Sequence, residues 1–84
     1  MMVVIRMSLE HYNRFIGRCD SDSQEESVLK RGVIGNRTSG DRSERIIEIT
    51  CTVDEAQTLL DRARNRYIEA VRDIETALAD PRYI

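Results

Sequence analysis

The sequence predicts an α+β domain in which a three-stranded, mainly antiparallel sheet carries two helices on one face. Apolar residues alternate near the N-terminus and recur in two short segments in the middle of the chain, which is typical of strands. Residues 53–79 instead place apolar residues at helical spacing. The predicted order is therefore β-α-β-β-α, a ferredoxin-like arrangement that lacks its last strand and has a long C-terminal helix.

The composition is that of a single globular domain, residues 1–84. Charged residues make up 33% and hydrophobic residues 40% of the 84 residues, as in chains that fold. The formal net charge of −2 gives no overall field that would attract nucleic acid or an anionic membrane. The apolar run over residues 1–5 is too short for a signal peptide or a membrane span, so we expect a cytoplasmic protein without membrane contact.

The first predicted element is a strand, and a short helix follows it. Apolar side chains alternate over residues 3–7, the period of a strand with one face on a core. From Leu9 the spacing becomes helical, and Ser8 is positioned as an N-cap. The residues on this helical face are Leu9, Tyr12, Phe15, Ile16 and Cys19. A strand that continues through His11 is the alternative, and the sequence leaves it open.

The middle of the chain predicts an acidic loop and then a hairpin. Residues 19–27 are polar and acidic, residues 28–34 and 45–51 are the two predicted strands, and residues 35–44 are rich in turn-forming residues. If the first two strands are parallel, the third lies between them and both helices share one face. Residues 82–84 are too short for a fourth strand. The strand 1 edge, residues 2–7, is therefore expected to be open to a strand of another protein.

The last third of the chain predicts one helix over residues 53–79. Thr52 and Glu55 form the S/T-x-x-E capping box at its start, and Pro81 follows its end. Two sets of residues repeat at seven-residue intervals along it: Val53, Leu60, Tyr67 and Ile74, and Ala56, Ala63, Ala70 and Ala77. Together they form an a/d pattern in which one position is always alanine.

The predicted length of this helix favours a homodimer. A helix over residues 53–79 is about 40 Å long at 1.5 Å per residue, whereas a seven-residue strand spans about 23 Å. The apolar stripe continues through the overhang, where exposure to water would be unfavourable. We therefore expect the second half of the helix to pack against a symmetry mate, and burial by the first helix or by loops of the same chain is the alternative. The expected interface residues are Tyr67, Ala70, Val71, Ile74, Ala77 and Leu78.

The hairpin carries the most one-sided charge in the chain. Residues 30–45 contain five basic residues and two acidic ones, a net charge of +3. Such a tip can hold an anion or follow a nucleic-acid backbone, although it contains no aromatic residue to stack on a base. The expected contact residues are Arg31, Arg37, Arg42 and Arg45.

No catalytic, cofactor or metal motif is recognisable in the sequence. His11 is the single histidine, and Cys19 and Cys51 form no CxxC pair, so we expect neither a cofactor nor a metal. Three function classes remain. The first is a small non-enzymatic protein–protein interaction or regulatory module, homodimeric through the C-terminal helix. The second is a nucleic-acid-binding module that uses the basic hairpin of residues 30–45, and the third is a small enzyme.

Overall fold

Three antiparallel strands and four helices make up the fold, as seen in a computed structural model that describes residues 1–81. The elements are β1 (Met2–Ser8), α1 (Leu9–Ile16), α2 (Gln24–Leu29), β2 (Val33–Ser39), β3 (Arg42–Thr52), α3 (Val53–Arg66), a 3-10 turn (Ile68–Ala70) and α4 (Val71–Leu78). β3 is central and pairs antiparallel with β1 on one side and β2 on the other. The predicted α+β class and antiparallel sheet are confirmed. Residues 82–84, considered above as a fourth strand, lie outside the described residues.

Ser8 ends β1 and caps α1. Its Oγ accepts a hydrogen bond from the backbone N–H of His11 at 3.1 Å, which satisfies one of the donors that the first helical turn leaves free. α1 then places Phe15 in the core with 0% of its surface exposed. The predicted helix is confirmed, and the alternative of a longer strand is wrong.

The acidic segment that the sequence predicts as a loop contains α2. The hydroxyl of Ser23 accepts a hydrogen bond from the N–H of Glu26 at 3.2 Å and caps this helix. Val28 and Leu29 then lie in the core, whereas the sequence predicts them in the second strand. That strand, β2, begins at Val33, so both predictions are wrong over this segment.

The hairpin tip is a tight turn, and the predicted long loop over residues 35–44 is wrong. β2 and β3 pair as far as Ser39 and Arg42, and a two-residue turn that includes Gly40 joins them. Gly40 has a φ of 61°, a left-handed conformation that glycine adopts without steric cost. The pairing of β1 with β3 stops at Ile46. Residues 36–45 therefore form a two-stranded ribbon, called here the β-ribbon, which extends beyond β1.

The predicted single helix over residues 53–79 is broken at Tyr67. Its capped start is confirmed, because Glu55 and Thr52 exchange hydrogen bonds of 2.9 and 3.1 Å between side chains and backbone N–H groups. Tyr67 has φ −155° and ψ 85°, an extended conformation that changes the direction of the chain. α4 returns to pack against β1 and α3. The overhang expected from one straight helix is therefore absent.

The six side chains predicted as a dimer interface lie in or against the chain's own core. Four of them are buried and two are partly buried: Tyr67, Ala70, Ile74 and Ala77, and Val71 and Leu78, respectively. The apolar stripe of the last helix is thus covered within one chain, by β1 and the other helices. This packing removes the reason for which the sequence predicts a dimer at this face.

Ile74 and Ile68 form a matched pair that tests the packing of α4. Ile74 is 0% exposed, whereas Ile68 in the 3-10 turn is 72% exposed. Ile74→Ala should lower the free energy of unfolding by about 2–5 kcal/mol, because it leaves a cavity in the core. Ile68→Ala should change it by less than about 0.5 kcal/mol. Urea denaturation followed by circular dichroism measures both, and equal small losses would contradict the burial of α4.

Candidate functional site

The helices cover β1 and β3 and leave β2 largely bare. Val33 is 67% exposed and Ile34 is 64% exposed. Pairing with β3 places Ile34 beside Ile47, on the face that carries the helices, and Val33 beside Glu48, on the outer face. β2 therefore presents one apolar side chain to solvent on each face of the sheet.

The two edges of the sheet differ in what lies beside them. β2 pairs with β3 alone, and within residues 1–81 no strand pairs with its other side. β1 has α4 beside it, since Val4 and Arg6 from the outer face of β1 line the same cleft as Arg72 and Thr76 of α4. A helix thus flanks the strand 1 edge that the sequence offers as a docking site, and β2 is the more open edge.

Arg31, the first of the four predicted anion contacts, lies away from the hairpin. Its two terminal guanidinium nitrogens lie 3.0 and 2.9 Å from the carboxylate oxygens of Glu55, so it joins the end of α2 to the start of α3. Glu55 also accepts the backbone N–H of Thr52. These hydrogen bonds, from Thr52 and then from Arg31, hold the pKa of Glu55 below its usual value.

The other three predicted arginines lie on the β-ribbon but on different faces. The register places Arg37 opposite Glu44, and Arg42 follows the same alternation on the outer face. Arg45 pairs with Asn36 and lies on the opposite face. Residues 36–38 and 40–45 are all exposed. The structure therefore brings Arg37 and Arg42 to one face and separates both from Arg31 and Arg45.

A cleft between the outer face of the sheet and α4 collects arginines from three elements. It has a volume of about 440 Å³ and is lined by Arg6 of β1, Arg37 of β2 and Arg72 of α4. Asp73 and Asp80 also border it. Arg6 and Arg72 are not among the predicted site residues, because only the packing of α4 beside β1 places these distant residues in one cleft. The alternation in β1 does place Arg6 on the outer face.

His11 and Cys51 make contacts that belong to the packing of the fold. His11 packs edge-on against Tyr67 with ring centroids 6.0 Å apart, and its Nδ1 lies 3.5 Å from Oδ2 of Asp73, which ties α1 to α4. Cys51 is 0% exposed in the core. Burial raises the pKa of its thiol to about 11, so little of the nucleophilic thiolate is present at neutral pH.

Comparisons with protein-family models, curated proteins and solved structures found no match. In the described part of the chain, no group of three or more histidine, cysteine, aspartate or glutamate residues is placed to hold a metal ion. None of the helices within residues 1–81 combines the length and apolar character needed to cross a membrane. Function is therefore inferred from the exposed surfaces of the molecule.

The two thiols should differ in reactivity, and this tests the burial of Cys51. At pH 8 roughly one thiol in 1,000 with a pKa near 11 is ionised, and Cys51 is also shielded from reagent. In a Cys19→Ser variant, iodoacetamide should label Cys51 at least 100-fold faster in 6 M guanidinium chloride than in buffer. Mass spectrometry measures the label, and equal rates in both solvents would contradict the structure. Cys51→Ser serves as the control, because Cys19 is only partly buried and should label in the native protein.

Proposed function

We propose that this protein is a non-enzymatic protein–protein interaction module that assembles by pairing the free edge of β2 with β2 of a second copy. The observation that carries this proposal is the exposure of Val33 and Ile34, at 67% and 64%, on an edge strand. An edge strand presents unpaired backbone N–H and C=O groups that can hydrogen-bond to another strand. Such strand addition is a common mode of protein recognition.

A second copy suits this edge because β2 can pair with itself across a two-fold axis. Antiparallel self-pairing keeps the helices of both copies on one side and continues the sheet across the interface. It also covers Ile34 and Val33 with the matching strand of the partner. Arg37 is the one charged residue of β2, and pairing centred near Gly35 keeps its two copies apart, whereas parallel pairing in register would place like charges side by side.

The proposed dimer contact is the edge of β2, whereas the sequence predicts it on the last helix. The helix face that the sequence offers is occupied by the chain's own core, and α4 flanks β1. A domain of 84 residues also buries a modest share of its surface, so pairing between two copies would add stability to a small core. Any other protein partner is expected to compete with the second copy for the same edge of β2.

We also propose that the fold is ferredoxin-like, with α4 in the place of the missing last strand. The strand order β1-β3-β2 supports this, because in that arrangement the fourth strand lies beside β1, where α4 lies here.

A cytoplasmic location is part of the proposal as well. Its support is that Cys19 and Cys51 are free thiols, which is usual in reducing compartments.

Ile34→Lys tests the β2 interface, and Ile68→Lys is its matched control. Both isoleucines are exposed, at 64% and 72%, but Ile68 lies in the 3-10 turn and not on β2. A charge on the edge strand should weaken dimerisation at least tenfold, whereas the control should leave it unchanged. Sedimentation equilibrium measures the dissociation constant. A wild-type chain that stays at 9.7 kDa at 100 µM would refute the dimer.

The β-ribbon supports a second candidate, binding to duplex nucleic acid. A two-stranded ribbon fits the major groove, and the β-ribbon exposes Arg37 and Arg42 on one face. Arg42→Ala should weaken duplex binding by three- to tenfold and reduce its salt dependence, because one phosphate contact is lost. Arg64→Ala, which removes an exposed arginine on α3, is the control. Fluorescence anisotropy in 50 mM salt measures both, and absence of wild-type binding would end this candidate.

A further inference from the structure

We propose that the cleft between the outer face of the sheet and α4 binds a small, non-aromatic phosphate monoester. The cleft's volume of about 440 Å³ lies within the range of ligand sites in proteins. Arg6, Arg37 and Arg72 reach it from three different elements. Arginine is suited to an oxyanion, because its guanidinium group can bind one through two N–H groups.

The lining of the cleft carries a net positive charge. Arg37 and Arg72 have no carboxylate partner within residues 1–81. Arg6 is partly neutralised, because its Nε lies 3.4 Å from Oε2 of Glu48, but that contact leaves its two terminal nitrogens available. The charged residues that line the cleft, three arginines and two aspartates, sum to +1. The two guanidinium groups without a carboxylate partner are the ones available to a phosphate monoester, which carries a charge of about −1.5 to −2 at neutral pH.

The two acidic residues of the cleft limit where the anion can lie. Asp73 directs its Oδ2 towards His11, at 3.5 Å from Nδ1, and that oxygen is buried. Asp80 lies eight residues beyond Arg72, a separation of about 12 Å at helical rise, and makes an interaction of its own. The arginine end of the cleft is therefore the end that favours an anion.

The lining of the cleft also limits the kind of ligand that it can hold. In the described part of the chain, no aromatic side chain lines the cleft, so nothing there would stack on a nucleoside base, and the proposed ligand is correspondingly compact.

Titration with inorganic phosphate and with glycerol 3-phosphate tests this site. Chemical shifts of backbone amides in 20 mM salt should change saturably, and the largest changes should map to Arg6, Arg72 and Thr76. Arg72→Gln should weaken glycerol 3-phosphate binding at least tenfold. Arg64→Gln, on the exposed side of α3, should change it less than twofold. Arg72 is exposed, so the variant is expected to fold, and its amide spectrum reports whether it does.

The results of these titrations can overturn the phosphate site without bearing on the proposed dimer. Changes that stay linear up to 20 mM phosphate, or binding that survives Arg72→Gln, would overturn it. Binding to phosphatidic acid vesicles without binding to glycerol 3-phosphate would also overturn the small-ligand proposal and point to a lipid headgroup. Ile34→Lys, which disrupts the proposed dimer, should leave glycerol 3-phosphate binding within twofold. The site therefore stands or falls independently of the dimer.

Discussion

The bend at Tyr67 is the constraint on which the rest of the structure depends. The Tyr67 ring is buried and stacks on Phe15 with centroids 6.3 Å apart. The guanidinium of Arg18 lies 5.0 Å from the centre of the same ring and donates a hydrogen bond of 2.9 Å to the carbonyl of Arg66. α1 and the turn that follows it thus hold both the bend and the last turn of α3. Because the chain turns here, the apolar face of α4 is buried by its own sheet.

The same bend determines which surfaces remain exposed. α4 lies beside β1 and closes one side of the sheet, so β2 is left as the open edge. The packing of α4 also creates the arginine-lined cleft, because it brings Arg72 to the same cleft as Arg6 of β1. Ala77 is small enough to let α4 approach β1, and Ala70 is buried in the 3-10 turn, which packs against α1 and α3. Alanine at both positions is thus explained without an intermolecular contact. Both proposed surfaces are therefore consequences of one local change in backbone direction.

Local sequence signals predicted the start of a helix correctly where a hydrogen bond between residues close in sequence fixes that start. Ser8 and Thr52 cap α1 and α3 as predicted, and each needs only a donor three residues ahead. Ser23 and Glu26 show the same S-x-x-E pattern, which would have revealed α2 within the acidic segment. The bend at Tyr67 had no such signal, since neither glycine nor proline interrupts the helical pattern there. Tertiary burial outweighed local propensity, and only that burial places Arg6 and Arg72 in the lining of one cleft.

The proposed interface and the proposed ligand site can coexist because they use different groups of the same strand. Strand addition at β2 uses the backbone N–H and C=O groups that point sideways from the sheet. The side chains of β2 point above and below it, so Arg37 stays on the outer face, where it borders the cleft, while the backbone pairs with a second copy. Self-pairing would thus place two clefts on one face of a continuous sheet. Pairing centred near Gly35 keeps the two Arg37 side chains apart, so self-pairing and ligand binding should not affect one another.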